Sequence, residues 1–260
     1  MLGTRPLLMP KGARGRRGMS LAIALLLVGG CGTDMFDRKS DFRAPAGGKT
    51  TALNFEDPQQ LGLFDNPASK EPAGFTPGDW KVDGGALKQT LGMKDNTANH
   101  LRYKGDAFGR PDGQAGLRYR VDVDASAYQE AIHPQVHGFP TGVLNLMPYY
   151  QDPTHYVMLV AKKQTIEAWV ANGERPASMA WPDTNKLWGM WLKEPIAVGQ
   201  VLKLGAEIDV EAKKLRVYVN DELKAERDVP LMDASKPHWV ALGANGNFAQ
   251  YDNLTFQWLK

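Results

Sequence analysis

Three acidic side chains at alternate positions are the residues of this chain whose types and spacing could do chemistry. Glu207, Asp209 and Glu211 are separated by one isoleucine and one valine. On a β-strand, the period of two places the three carboxyl groups on one face and the two apolar side chains on the other. Two carboxyl groups about 5 to 5.5 Å apart can hydrolyse a glycosidic bond with retention of configuration. The sequence therefore predicts either an acid pair that strand twist brings together, or the solvated face of a hairpin.

A second group of residues is aromatic. Trp181, Trp188 and Trp191 fall within eleven loop-like residues, and Tyr149-Tyr150 could form a second wall. Indole rings offer apolar faces on which a sugar ring can stack, and their N–H groups can bind polar partners. We predict a ligand site here. The alternative is that Leu187, Trp188 and Trp191 pack inward and seal one end of the fold.

The elements that must position these residues follow from the hydrophobic pattern. Residues 200–228 read as three consecutive strands, because apolar side chains alternate there and Asn220-Asp221 suits a tight turn. The apolar positions of the first of these strands are Leu202, Leu204, Ala206, Ile208 and Val210. A hairpin turn is also expected at Asp83-Gly84-Gly85.

Other strands are expected along the rest of the chain. The segments with strand patterns are residues 51–55, 80–82, 86–90, 117–123, 155–160, 165–170, 238–242 and 250–256. The richest helical candidate, residues 125–132, is two turns at most. Many short strands without a long helix predict an all-β fold, a sandwich or a barrel.

Several short segments together resemble a known family. They are residues 55–57 (Phe-Glu-Asp), 78–87 (GDWKVDGGAL), 217–223 (VYVNDEL), 240–243 (VALG) and 251–254 (YDNL). In this order they resemble the concanavalin A-like lectin/glucanase domains, and most of all the laminin-G-like and 3-keto-disaccharide hydrolase types of bacterial envelope proteins. The resemblance implies a two-sheet antiparallel jelly-roll sandwich whose concave face is the usual site for glycans.

The resemblance also implies roles for particular acids. Residues 207–211 match the three-acid core of laminarinases and lichenases, which would make Glu207 the nucleophile and Glu211 the acid/base. The match ends there, because Ala-Lys-Lys follows where that family has a glycine or glutamine. Some members hold a structural calcium where the terminal strands meet, so Asp57 and Asp252 are candidate calcium ligands. No other cofactor is expected.

The first thirty residues have the pattern of a leader. Five basic residues precede an apolar stretch, 19–28, which is too short for the roughly 20 residues that a spanning helix needs. Small residues then lead to Cys31, the only cysteine, in a Val-Gly-Gly-Cys pattern that resembles the lipobox of bacterial lipoproteins. We predict a signal peptide at 1–30, a tether at 31–49 from a lipidated Cys31, and one domain at 50–260. Gly32 after the cysteine points to the outer membrane in a Gram-negative source.

Removal of this leader changes the charge of the chain. The whole sequence has 31 basic and 29 acidic residues, but the leader holds five of the basic ones and no acids. The remainder has 26 against 29, a net charge of −3, without the basic stripe of a nucleic-acid binder. We therefore expect a lipid-anchored envelope protein with a non-catalytic carbohydrate-binding domain. The alternatives are a glycoside hydrolase acting on poly- or disaccharides and a structural protein that docks another protein.

Overall fold

The computed structural model describes residues 49–66, 78–91, 98–108, 110, 113–130, 142–173, 185–245 and 248–259. All of them belong to the unit that spans Asp41–Lys260. Cys31, Trp181, the predicted leader and the predicted tether as far as residue 48 lie outside the described residues. The assignments of 1–30 and 31–49 therefore stay predictions.

The described residues form fifteen strands. Their bounds are β1 Thr50–Leu53, β2 Phe64–Asp65, β3 Trp80–Val82, β4 Leu87–Gln89, β5 Ala98–Tyr103, β6 Arg118–Gln129, β7 Val143–Asp152, β8 His155–Lys162, β9 Thr165–Asn172, β10 Lys186–Trp191, β11 Leu202–Asp209, β12 Lys214–Val219, β13 Glu222–Asp228, β14 Trp239–Asn245 and β15 Phe248–Trp258.

The strands form two antiparallel sheets. Sheet A has eight strands in the order β13-β12-β11-β6-β15-β4-β3, and β1 also pairs with β15. Sheet B has seven, in the order β10-β9-β8-β7-β14-β5-β2. Since β14 is in sheet B and β15 in sheet A, the chain crosses between sheets, as a jelly roll requires. The prediction of an all-β two-sheet sandwich is confirmed.

The core lies between the sheets because alternate side chains point inward. On β11, Leu204, Ala206 and Ile208 are fully buried in the main hydrophobic cluster, as the alternation predicts. The phenol of Tyr251 on β15 ties the two sheets together. Its hydroxyl donates to the Gly243 carbonyl at 2.5 Å and accepts from the Asn145 backbone N–H at 3.0 Å. Burial raises the pKa of this phenol well above its usual range.

Two tight turns have the geometry that their residues suggest. Asn220 and Asp221 have φ of 51° and 67°, and Gly84 and Gly85 have 59° and 71°. Two consecutive positive φ values are typical of a type I′ turn, whose twist matches that of the flanking strands. Both predicted hairpin turns are present.

Two local predictions were wrong. Residues 125–129 are not helical but continue β6, where Ala125 and Ala127 are fully buried and pair with β15. Pairing with β15 along this stretch, and with β11 at Ala125, overrides the helical propensity of the alanines. Part of the loop-like tryptophan segment is also a strand, because Lys186–Trp191 pairs with β9.

The described residues contain one short 3-10 helix, Pro58–Leu63, whose N-cap is Asp57. Within the part of the chain that the structure describes, no helix is both long and apolar enough to cross a membrane.

Candidate functional site

The outer face of sheet B, meaning its side chains that point away from the core, carries most of the polar and aromatic groups of interest. On β9, Ile166 and Ala168 are buried in the core, so Glu167 and Trp169 between them point to this outer face. Met158 on β8 and Lys186 on β10 lie beside Trp169 in the ladder. The alternation of apolar side chains within residues 165–170 predicts the strand that the structure shows there. It also carried the signal that Glu167 and Trp169 share a face, which sequence reasoning missed.

Glu167 is the centre of a polar network on this face. Its carboxylate is 95% buried, although it lies outside the core. Oε1 accepts from the ammonium of Lys186 at 2.8 Å, and Oε2 lies 2.8 Å from the ammonium of Lys162. Oε2 also accepts from Nε1 of Trp169 at 2.8 Å. We call these four residues, Lys162, Glu167, Trp169 and Lys186, the Glu167 network.

The network keeps its carboxylate charged. Burial by itself would raise the pKa of Glu167, but hydrogen bonds from Lys162, Lys186 and Trp169 outweigh it and hold the pKa below its usual value. The two ammonium groups also lie 5.5 and 5.7 Å from the centroid of the Trp169 ring, within cation–π range. The indole is therefore fixed by its N–H and by the cations beside it.

A glycine makes room for this arrangement. Gly189 on β10 is the ladder partner of Glu167. A Cβ at that position would come within 2.8 Å of Cε and 3.0 Å of Nζ of Lys186. The absence of a side chain at Gly189 lets Lys186 fold across it to reach the carboxylate.

The row that contains Glu167 continues across sheet B. Val160, Asn145, Gly243 and His100 follow it on β8, β7, β14 and β5. Asn145 is nearly fully buried, and its Nδ2 donates to Oδ1 of Asn245 at 3.0 Å. Its own Oδ1 has no hydrogen-bond partner among the described residues. A buried polar atom normally has a partner, so this acceptor departs from the usual pattern.

Aromatic side chains occupy the neighbouring part of the same face. His100 contacts Tyr150 and Tyr156 edge-on, with centroids 5.6 and 5.2 Å apart. These rings are buried, and the last two belong to a second hydrophobic cluster that is separate from the main core. Arg102 lies over the Trp239 ring at 4.5 Å. This half of the face is thus filled by packed side chains, whereas β8 to β10 present the more accessible groups.

The structure separates the residues predicted to bind a ligand. Trp191 is 75% exposed and follows Met190, which packs on the core, so the indole lies on the outer face of sheet B. Trp188 instead packs against the core together with Leu187. A register shift between Lys186 and Trp188 places these two consecutive side chains on the same side. The ligand-site prediction and the inward-packing alternative thus each describe part of this segment.

The predicted tyrosine wall is also divided. Tyr149 is fully buried in the main core, and its hydroxyl accepts from Nε2 of Gln151 at 2.7 Å and from the Asp233 backbone N–H at 3.0 Å. Tyr150 is equally buried but belongs to the second cluster. Neither ring offers an open stacking face.

The three acids of the catalytic hypothesis lie on sheet A. Glu207 points to the outer face of β11 and is 98% buried there. Its Oε1 accepts from Arg118 at 2.9 Å and from Arg216 at 2.8 Å. The hydroxyl of Tyr218 lies 3.5 Å from Oε2. Charge-assisted hydrogen bonds from two guanidinium groups therefore occupy this carboxylate.

The other two acids do not continue the predicted pattern. β11 ends at Asp209, whose Oδ1 accepts from the Ala212 backbone N–H at 2.9 Å inside the following turn. Glu211 lies in that turn and is exposed. The period of two therefore does not carry the face of Glu207 as far as Glu211.

The two candidate calcium ligands have other roles. Oδ1 of Asp57 accepts from the Gln59 backbone N–H at 2.9 Å and caps the 3-10 helix. Asp252 lies on β15 opposite Asp124, and its pKa is raised by burial and by the charges of Asp124 and Glu56. Within the described ranges, no group of three or more His, Cys, Asp or Glu residues could hold a metal ion. The calcium prediction gains no support from this arrangement.

Comparison with known proteins was informative at the level of structure. No protein-family model and no curated protein sequence matches the chain. The GH16 endo-β-1,3(4)-glucanase SCLam is similar over 84% of this chain and 94% of its own, with a TM-score of 0.54 and 12% identity. The carbohydrate recognition domain of Emp46p, in a potassium-bound form, is similar over 80% and 95%, with a TM-score of 0.53 and 12% identity.

A carbohydrate-binding module, CBM66 from Bacillus subtilis, is similar over 75% of this chain and 96% of its own, with a TM-score of 0.50 and 13% identity. At such low identity the likeness shows the fold alone. The chain has the concanavalin A-like lectin/glucanase jelly-roll fold.

Proposed function

We propose that this domain binds carbohydrate without cleaving it, on the outer face of sheet B where β8, β9 and β10 lie together. The observation that carries the proposal is that the exposed indole of Trp191 lies on the same face of sheet B as the Glu167 network, which includes the indole of Trp169. Sugar rings are bound by stacking on aromatic faces and by polar groups that bind their hydroxyls. A carbohydrate-binding module and a carbohydrate recognition domain among the structural neighbours support the proposal.

The contrast between the two sheets favours sheet B. The outer face of sheet A carries a ladder of ion pairs, such as Arg120 with Asp122 at 2.8 Å and Lys214 with Asp228 at 2.6 Å. Two aromatic side chains of this sheet lie beneath cations: the guanidinium of Arg120 is 4.1 Å from the ring centroid of Tyr218, and the ammonium of Lys88 is 5.6 Å from that of Tyr128. Charged pairs of this kind keep a sheet solvated and discourage pairing with other sheets. Such a face has little aromatic surface to offer a sugar.

Glycoside hydrolysis is the second candidate, since a GH16 glucanase and a laminarinase share the fold. The position of Glu207 favours binding over this candidate. A nucleophile and an acid/base must lie close together beside the glycosidic bond. Glu207 is instead bound by Arg118 and Arg216, and Glu211 lies beyond the end of the strand.

The test is a glycan-array and turnover screen on the full-length chain. We expect saccharide binding that is reduced at least tenfold in Trp191→Ala and unchanged in Trp258→Ala, a matched variant at a partly exposed tryptophan of sheet A. No product is expected from any bound saccharide. Product formation that Glu207→Gln abolishes would support the hydrolase instead. If neither saccharide binding nor product is observed, a structural protein that docks another protein would be favoured.

We also propose that the protein is an envelope lipoprotein anchored through Cys31 to a membrane, the outer membrane in a Gram-negative host. Support comes from the basic and apolar leader and from the Val-Gly-Gly-Cys pattern. The test is expression with an alkyne fatty acid in bacterial cells. Label is expected on the chain and absent from Cys31→Ser. Equal labelling of both would contradict the anchor.

A further inference from the structure

We propose that the site on β8 to β10 selects an anionic saccharide, one that carries carboxylate or sulfate groups, through the ammonium groups of Lys162 and Lys186. This inference rests on the proposed carbohydrate-binding function and names the class of ligand. It is carried by the hydrogen-bond capacity, charge balance and exposure of the Glu167 network.

The network offers hydrogen-bond donors rather than acceptors. Both oxygens of Glu167 are already occupied, Oε1 by Lys186 and Oε2 by Lys162 and Trp169. An ammonium group has three N–H donors and no acceptor. Among the described residues, Glu167 is the hydrogen-bond acceptor of each of these two ammonium groups, so donors remain on both. A surface with donors to spare is suited to a ligand group that only accepts.

The charge of the network points the same way. Two lysines share one buried carboxylate, whose pKa is lowered, so one positive charge is left uncompensated within the network. The lysine side chains are 33% and 37% exposed. They are therefore accessible to a ligand and yet partly removed from water, where attraction to an anion is screened less than at an open surface.

Arg102 and His155, two other basic residues on this face, are each matched by one acid. Arg102 is paired one to one with Asp65 through two hydrogen bonds at 2.9 and 2.5 Å. His155 faces Asp152 at 3.0 Å. On sheet A the two arginines that bind Glu207 have further acids, since Arg216 binds Glu226 at 2.7 Å and Arg118 lies 3.8 Å from Asp209. Among these ion-paired groups, two cations on one acid occur in the Glu167 network, on the face that carries the exposed indole of Trp191.

The aromatic groups complete a site for a sugar rather than for a bare anion. Lys162 pairs with Thr165, and Thr165 pairs with Trp191, so the exposed indole lies in the same row as one ammonium. Trp169 lies one row beyond Glu167, beside Lys186. A sugar ring on Trp191 would place its acidic substituent toward the lysines.

The experiment is calorimetric titration of the full-length chain with matched pairs of probes. The first pair is an oligogalacturonate and its neutral methyl ester, and the second is a carrageenan oligosaccharide and its desulfated form. The first pair tests a carboxylate and the second a sulfate ester. We expect at least one acidic probe to bind about tenfold more tightly than its neutral counterpart, the preference falling as salt is raised.

Variants separate this preference from folding. Lys162→Met and Lys186→Met keep the apolar stem and remove the charge, and each is expected to weaken acidic binding about tenfold. Lys186→Arg, which keeps the positive charge, should retain the binding of acidic saccharides. Glu167→Gln, which leaves two uncompensated ammonium groups, should strengthen it, an effect that a purely structural role would not produce. Lys203→Met on sheet A is the matched control, and the melting temperature of each variant verifies folding.

Equal binding of acidic and neutral probes, lost in Trp191→Ala but unaffected by the lysine variants, would overturn the anionic preference and leave the carbohydrate-binding proposal intact. Failure of every saccharide, acidic or neutral, to bind would overturn both.

Discussion

Lys186 on β10 reaches across Gly189 to place its Nζ 2.8 Å from Oε1 of Glu167 on β9. The two residues are nineteen positions apart in sequence and lie on neighbouring strands. Together with Lys162 they convert an otherwise ordinary strand face into a polar site beside two indole rings. The geometry depends on a glycine, and this dependence can be tested directly.

Gly189→Ala is expected to displace Lys186 and to weaken saccharide binding. The new Cβ would come within 2.8 Å of Cε of Lys186, a distance at which the flexible lysine must shift. Because the lysine can move at little cost, the free energy of unfolding should fall by less than about 1 kcal/mol, in the range of ordinary substitutions. Calorimetry of binding and thermal unfolding measure the two effects. Gly62→Ala, where a Cβ would meet nothing within 4 Å, is the control and should change neither.

Glu207→Gln should destabilise the fold without altering saccharide binding. Removing the charge leaves Arg118 and Arg216 without their shared buried partner, and breaking a buried ion pair costs about 3 to 5 kcal/mol. Both arginines are about one-third exposed, so solvent screening should reduce this cost to about 2 to 3 kcal/mol.

Denaturant unfolding measures this loss. Glu211→Gln, at an exposed position in the turn, is the control and should stay within about 0.5 kcal/mol of the parent. Equal stability of the two variants would contradict the assignment of Glu207 to a structural ion-pair network.

Asp252→Asn should stabilise the protein at neutral pH. The pKa of Asp252 is raised by burial and by the charges of Asp124 and Glu56, so its ionised form is disfavoured in the folded state. Because its pKa is raised, Asp252 contributes fully to the stability of the fold at a pH below its ordinary pKa of 3.8. This contribution is lost as the pH rises through the pKa that Asp252 has in the folded protein.

An asparagine at this position keeps an acceptor for the Asn253 backbone N–H, which Asp252 Oδ1 now receives at 2.6 Å. We expect a higher melting temperature at pH 7 and a smaller gain near pH 3. Asp57→Asn, which keeps a helix-capping side chain, should show no such gain. A lower melting temperature for Asp252→Asn at pH 7 would show that the carboxylate is needed there.

His238 should make the stability of the fold decrease as pH falls below 6.5, the ordinary pKa of histidine. Its ring is stacked between Tyr149 and Tyr119, with centroids 4.7 and 6.1 Å away, and its nitrogens face the carbonyls of Lys236 and Gly116. Burial lowers the pKa of the imidazole below 6.5 despite these carbonyls. Its contribution is therefore complete above pH 6.5 and is lost as pH falls toward the folded value.

Thermal unfolding at pH 7.5 and 5.5 measures this dependence. His238→Gln cannot titrate, so its melting temperature should fall less between the two pH values than that of the parent. An equal fall in both would show that other groups cause the pH dependence.

The sequence was sufficient for the fold because its signals are local. The alternation of Leu204, Ala206 and Ile208 and the Asn220-Asp221 turn depend on neighbouring residues alone, and they specify strands and hairpins wherever the rest of the chain lies. Propensity was misleading in residues 125–129, where pairing with β15, and at Ala125 also with β11, decides the structure.

The site was predicted only in part because it depends on register. Trp191 was identified by its type, but a shift in the β9–β10 ladder sends Trp188 to the core, and no local pattern indicates that shift. The Glu167 network joins three strands, and a one-residue slip in either ladder would turn one of its members to the opposite face. Glu207 shows the converse: a motif match placed it in a site, and Arg118 and Arg216 across the ladder hold it in an ion-pair network.

Hydrogen–deuterium exchange of the full-length chain, with and without its best-binding saccharide, locates the saccharide on one of the two sheets. If carbohydrate is bound on the outer face of sheet B, the ligand should slow exchange in peptides from β8, β9 and β10, residues 155–191, and leave peptides from β11 to β13, residues 202–228, unchanged. Slower exchange in β11 to β13, with no change in β8 to β10, would place the ligand on sheet A beside Glu207. That result would contradict binding on the outer face of sheet B.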